Sequence, residues 1–202
     1  MKVLVACEFS GIVRDAFKAK GHYAMSCDLL PTEREGLHYQ GDVFDILNDG
    51  WDLMIAHPPC TYLCSMGIWW NSKRPERWEL TYEALDFVKQ LWNAPIQKIA
   101  IENPIGYLSN HFMKPNQIVN PWMFGQEFNK PTCLWLKNLP NLTPTNIVGK
   151  GEFYTKANGN RMSKWSHITS GTRKEERAKI ASRTFQGIAD AMAEQWGLQS
   201  QE

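Results

Sequence analysis

Trp51–Asp52–Leu53–Met54–Ile55–Ala56–His57–Pro58–Pro59–Cys60 decides how this chain is read. Its apolar centre has the length of a buried strand, and two prolines stop it, because proline carries no N–H for a sheet ladder. The stop presents a thiol. Ile99–Ala100–Ile101–Glu102–Asn103–Pro104 repeats the plan, with a carboxyl group and an amide at the end of the run. A nucleophile on one strand end and a carboxyl on another form a catalytic arrangement.

Outward from these two runs, strands and helices alternate. Lys2–Cys7 is a short Val-rich run, and Gly11–Lys20 then spaces Ile12, Val13, Ala16 and Phe17 at helical intervals. Tyr23–Asp28 reads as a second strand, and Gly41–Asp42–Val43 opens a short connection to the third, Trp51–Ala56. Thr81–Trp92 places Ala84, Leu85, Val88, Leu91 and Trp92 on one helical face ahead of the strand Lys98–Glu102; Thr132–Leu136 is a further strand. This pattern predicts an α/β fold with a mainly parallel central sheet.

Ligands of such sheets lie outside the carboxyl ends of the strands, where strand order reverses. The candidate site is therefore Glu8, Phe9, Ser10 and Gly11, then Asp28, Asp42, Pro58–Pro59–Cys60 and Glu102–Asn103. Each alone has an ordinary explanation: Ser10 as a helix cap, Asp28 as a turn former, the prolines as terminators, Cys60 as a small buried hydrophobe. Their succession, one group per strand end, argues for a site.

At 202 residues and 43% hydrophobic content, one domain is expected, spanning 1–202. The net charge of +1 is silent about partners, but its distribution is uneven. Lys137 to Arg183 holds ten basic residues against three acids, so that segment carries +7 and the rest −6. With Phe153, Tyr154 and Trp165 interleaved, this suits a polyanion; a solvated charged helix at 173–180 explains part of it equally well. Five cysteines, an odd number, with no leader and no membrane-spanning run, point to free thiols, a reducing cytoplasm and no membrane partner. His57, Cys60 and Cys64 have spacing acceptable to zinc, but no second pair lies nearby, and no metal is expected. Trp69–Trp70, followed by Asn71–Ser72–Lys73–Arg74, reads either as a loop flank that contacts nucleic acid or as a loop pair packed on the core.

In order, these residues resemble the S-adenosylmethionine-dependent DNA cytosine-5 methyltransferases. Glu8–Phe9–Ser10–Gly11, Asp28, Gly41–Asp42–Val43, Pro58–Pro59–Cys60 and Glu102–Asn103–Pro104 match the family's motifs. Asn129–Lys130–Pro131–Thr132–Cys133–Leu134 matches more weakly, and Ser182–Arg183–Thr184–Phe185–Gln186–Gly187–Ile188–Ala189 resembles the C-terminal motif that returns to the cofactor pocket and continues as a helix through Ala193. The resemblance implies a Rossmann-like class I methyltransferase with helices on both faces of the sheet. It implies S-adenosylmethionine as cofactor, held by Glu8, Phe9, Ser10, Gly11, Asp28, Asp42, Pro58 and Thr184, with Phe9 on the adenine, Asp28 at the ribose and Asp42 at the adenine amino group. It implies DNA as substrate, duplex or single-stranded, contacted by Pro59, Asn103, Lys130 and Thr132.

The chemistry explains the residue types. Carbon 5 of cytosine is too electron-poor to attack a methyl donor until a nucleophile adds at carbon 6. A thiolate suits this, because it attacks strongly and leaves readily. Cys60 is the expected nucleophile. Glu102 is expected to stabilise the activated ring through N3 and the exocyclic amine, best with a raised pKa. Where the family carries two arginines, this chain has Lys130 and Thr132. Where the family inserts a large recognition domain, residues 137–181 form only a short basic insert, which implies low sequence specificity, a short site or help from a protein partner. Small versions of this kind resemble those of phages and of restriction–modification systems. Two alternatives accompany the enzyme reading: a catalytically silent relative that binds cofactor or nucleic acid, and an enzyme acting on RNA or a free cytosine nucleotide.

Overall fold

Lys2–Ala6 (β1) is buried at every position but its first, and Leu53–Ala56 (β4) throughout, as central strands covered on both faces must be. They lie in parallel register, Val3 opposite Leu53 and Ala6 opposite Ala56. The computed structural model, which describes residues 1–198, builds a seven-stranded sheet around this pair. Tyr23–Asp28 (β2) and His38–Gln40 (β3) extend it beyond β1; Lys98–Pro104 (β5), Gln117–Val119 (β6) and Thr132–Lys137 (β7) extend it beyond β4. The order is β3-β2-β1-β4-β5-β7-β6, and only β7 runs against its neighbours. It is a doubly wound order with one reversed strand inserted before the last.

Helices cover both faces. Ile12–Ala19 (α1) and Gln186–Trp196 (α7) pack on one through Phe17, Ile188, Met192 and Trp196. Ser65–Asn71 (α2) leads into Arg77–Trp92 (α3), which packs on the other face through Leu85, Val88 and Leu91, beside Leu108 of the short helix Leu108–His111 (α4). α3 starts a turn before the expected Thr81. Thr81 is fully buried, accepts a hydrogen bond from Asn71 at 2.8 Å and donates back to the Arg77 carbonyl, which holds that extra turn. The three polar residues of β3 carry no apolar pattern; the Ser26 hydroxyl and the His38 ring, 2.9 Å apart, join that strand to β2. Trp69 and Trp70 lie on α2, and both are exposed, so they are neither in a loop nor packed on the core.

Residues 137–181 contain a hairpin, Phe153–Thr155 (β8) with Arg161–Ser163 (β9), followed by Lys164–Gly171 (α5); the charged segment at 173–180 falls in Lys174–Ser182 (α6). The chain enters this module past Gly151, at φ 77°, where a Cβ would stand 2.0 Å from the Glu127 carbonyl oxygen. It leaves at Ala181, whose carbonyl accepts from Lys130 Nζ at 2.8 Å. No helix among the described residues is long and apolar enough to cross a membrane.

The link between β1 and α1 is electrostatic. The Glu8 carboxylate is buried and accepts from the Val13 and Arg14 amides at 2.7 and 3.2 Å and from the Ser10 hydroxyl at 3.1 Å. These amides belong to the first turn of α1, which has no partner for them inside the helix. Glu8→Ala therefore lowers the free energy of unfolding by about 2 kcal/mol. Urea denaturation followed by circular dichroism measures it, and an unchanged midpoint would refute the capping role.

Candidate functional site

β1 and β4 are the strands between which the sheet order reverses, so their carboxyl ends flank a crevice. A cavity of about 160 Å³ opens there, walled by Cys7, Cys27, Asp28, Gly41, Asp42 and Pro59. Burial pushes the Cys7 and Cys27 thiols up, Cys27 to about 12, so both are neutral surfaces at pH 7. Cys7 holds φ at 58°, a left-handed backbone that side chains rarely adopt, and strain of that kind concentrates at sites. Burial also raises the Asp28 carboxyl above its ordinary value, against the Leu30 amide that donates to its Oδ1 at 2.9 Å. A desolvated carboxylate gains from hydroxyl donors. Asp42 is exposed, and its Oδ1 caps a short 3-10 turn by accepting from the Phe44 amide at 3.0 Å.

The thiol side of the crevice is built by two loops locked together. Asn103 is 1% exposed and donates to the Pro58 carbonyl at 2.8 Å, tying the end of β5 to the end of β4. Further along, the Tyr107 amide donates to the Leu63 carbonyl at 2.7 Å, and Cys64 bridges Gly106. At Gly106 a Cβ would stand 2.1 Å from the Leu63 carbonyl oxygen, so only glycine allows the approach. Cys60, half-buried, is held between these fastenings.

Two neighbours set the charge. His57 Nδ1 lies 2.9 Å from Glu102 Oε2. Burial alone would raise the Glu102 carboxyl, but the His57 hydrogen bond, the nearby Lys130 ammonium and the Thr132 hydroxyl outweigh it and hold the group below its ordinary value. Glu102 is thus an ionised acceptor, contrary to the raised pKa expected from the chemistry. Cys60 pairs with Cys64, one turn further on. The hydrogen bond from Cys60 and the backbone amides at the start of α2 pull the Cys64 thiol down, the Gly67 N–H donating to its sulfur at 3.4 Å. The same hydrogen bond, with burial, pushes the Cys60 thiol up. Within the pair, charge is favoured on Cys64 over Cys60.

The other expected residues divide. Pro59, rather than Pro58, is in the cavity wall; Pro58 is buried and serves Asn103. Glu8 and Ser10 face the start of α1, Gly11 precedes that helix at φ 71°, and Phe9 is 7% exposed, with its carbonyl accepting from the Glu33 amide. These four and Thr184, half-buried ahead of α7, lie outside the cavity wall. Thr132 and Lys130 reach Glu102 because reversed β7 brings its first residue opposite Pro104. Sequence reasoning gave no such part to Cys7, and it weighed His57 and Cys64 only as zinc ligands. Among the described residues no three His, Cys, Asp or Glu side chains are grouped to hold a metal ion.

His57 Nε2 and Asn103 Oδ1 are buried without a hydrogen-bond partner among the described residues. Each costs about 1–3 kcal/mol, and orphaned atoms beside a paired thiol and carboxylate mark a place shaped for a polar ligand. No protein-family model and no curated protein matches the chain.

Alkylation separates the thiols. Iodoacetamide modifies Cys64 first, with a half-maximal rate at a pH below the roughly 8.5 of a free thiol, because its charged form is stabilised. Peptide mass spectrometry across pH reads this, and faster labelling of Cys60 would reverse the assignment. Asn103→Ala removes the tie to Pro58 and destabilises the fold by about 1–3 kcal/mol. Thermal melting measures the loss.

Proposed function

We propose that this chain transfers a methyl group from S-adenosylmethionine to carbon 5 of cytosine in DNA, through a covalent adduct of Cys60 with carbon 6. One observation carries the reading: Pro59 forms part of the cavity wall with Asp28 and Asp42, the next residue is Cys60, and the adjacent strand supplies Glu102. A cofactor pocket, a nucleophile and a base-holding carboxylate therefore meet at one edge of a mostly parallel sheet.

The residues present fit the cofactor. About 160 Å³ is below the roughly 300–1,000 Å³ of a pocket that encloses a drug-sized ligand, so this cavity would house one end of it and leave the rest toward Cys60. Asp28, desolvated, would accept from ribose hydroxyls; Asp42 would accept from the adenine amino group. When bound, S-adenosylmethionine supplies an electrophilic methyl group.

The side chains divide the remaining work. Cys64 accepts the Cys60 proton, so that Cys60 adds to carbon 6 as the thiolate while Cys64 becomes the thiol. Glu102, ionised, accepts from the exocyclic amine of the base. His57, whose Nδ1 lies 2.9 Å from Glu102 Oε2, holds that carboxylate toward the base. Asn103, through Pro58, keeps the thiol in place during addition and during expulsion, when the carbon 5 proton passes to solvent water, the carbon 6–sulfur bond breaks and Cys60 leaves as the thiolate. Lys130 lends positive charge to the ring side and donates to the Ala181 carbonyl.

Trapping tests the reading. A 5-fluorocytosine oligonucleotide with S-adenosylmethionine gives a denaturation-resistant adduct with the wild type and none with Cys60→Ala. On ordinary cytosine, Glu102→Gln lowers methyl transfer by about 10²–10⁴-fold. Absence of any adduct on single- and double-stranded DNA of varied sequence would overturn the proposal. Nucleoside digestion of DNA from expressing cells, with 5-methylcytosine as the expected product, reads the same reaction independently.

A further inference from the structure

Met66, Trp69, Trp70 and Lys73 stand at i, i+3, i+4 and i+7 along α2 and its end, so they share one face. Met66 is 73% exposed, Trp69 55% and Trp70 43%. The two indoles meet edge to face with centroids 4.9 Å apart, and Lys73 and Arg74 lie over them, 5.9 and 5.5 Å from the ring centres. An apolar stripe on this helix would ordinarily turn to the core, yet here it faces out, starting two residues after Cys64.

Beside the stripe lies a groove of about 640 Å³ that Met66 also lines. Its walls carry Lys156, Arg161 and Arg177 with the hydroxyls of Ser166, Thr169 and Ser170, and among the described residues no carboxylate. No carboxylate among the described residues pairs with those three cations. Arg161 lies over the exposed Phe153 ring, and Arg177 donates to the carbonyls of Ser170 and Thr172. Asn129 and Pro131, which flank Lys130, also line the groove. Cations and hydroxyls suit a phosphate backbone, and exposed indoles suit the faces of bases.

We propose that the groove and the α2 tryptophans together bind single-stranded DNA, its phosphates in the groove and its unpaired bases on Trp69 and Trp70. A duplex hides the faces of its bases in its own stack, whereas a single strand offers them to aromatic side chains. The insert also presents no long recognition helix for a major groove, α5 having eight residues and α6 nine. The inference rests on the methyltransferase reading, because it names the form in which the substrate reaches Cys60.

Fluorescence anisotropy of a labelled 20-nucleotide strand, its duplex and the corresponding RNA tests it. The single DNA strand binds at least tenfold more tightly than the duplex. Trp69→Ala and Trp70→Ala each lower single-strand affinity at least about fivefold, whereas Trp→Phe variants, which keep a stacking face, retain most of it. Replacing Lys156, Arg161 and Arg177 with Ala flattens the slope of log affinity against log salt by about 0.7 for each cation removed. Circular dichroism checks that each variant folds. Duplex binding as tight as the single strand, tighter binding of RNA, or unaltered binding by both Trp→Ala variants overturns the proposal. So does failure to bind nucleic acid while the stripe captures a protein. Methyl transfer measured on the same oligonucleotides separates the two claims: strand binding without transfer sinks the reaction alone, and transfer to duplex by Trp→Ala variants at the wild-type rate sinks this surface alone.

Discussion

The arrangement at the sheet edge depends on the fastening of two loops that leave adjacent parallel strands. One side-chain amide, Asn103, reaches 2.8 Å across to the Pro58 carbonyl, and the Tyr107 amide repeats the tie at Leu63. Prolines 58 and 59 cannot supply backbone donors of their own, so the carbonyl of Pro58 must find its donor elsewhere. That need makes the amide beside Glu102 structural. A thiol and a carboxylate that belong to residues 42 positions apart are thereby held as one unit.

Charge at this edge is distributed by pairing. Cys60 is a half-buried thiol whose hydrogen bond to Cys64 favours charge on Cys64, the sulfur that also faces the amides opening α2. Glu102 alone would be pushed toward neutrality by burial, but His57, Lys130 and Thr132 reverse this. The edge therefore presents one negative sulfur and one negative carboxylate against one ammonium. A proton can move between the two sulfurs without crossing bulk water.

Much of the frame was legible because its strands leave little choice. Val3 to Ala6, Leu53 to Ala56 and Ile99 to Ile101 are apolar runs too short for helices and too uniform for a half-exposed sheet. Cys60 and Glu102 were legible for the same reason, since each follows the stop of such a run. What escaped depends on partners distant in sequence. His57 is defined by a carboxylate 45 residues away, and the ionisation of Glu102 depends in part on Lys130, delivered by a reversed strand. The part Glu8 plays at the start of α1 was not legible because a buried carboxylate after a strand serves a helix start as well as it serves a ligand. Trp69 and Trp70 were ambiguous because periodicity shows which residues share a face and not which way the face turns.

Reversed β7 has one more effect. It starts at the ligand edge and ends at the opposite one, so the chain must climb back before residue 151. Entry at Gly151 touches Glu127, and exit at Ala181 touches Lys130, three residues apart on a single loop. Two attachment points so close together make the stretch between them a cassette. Its length and content are open to variation wherever Trp165 keeps its packing on Phe128 and Phe185, the contact that seats the cassette on the body.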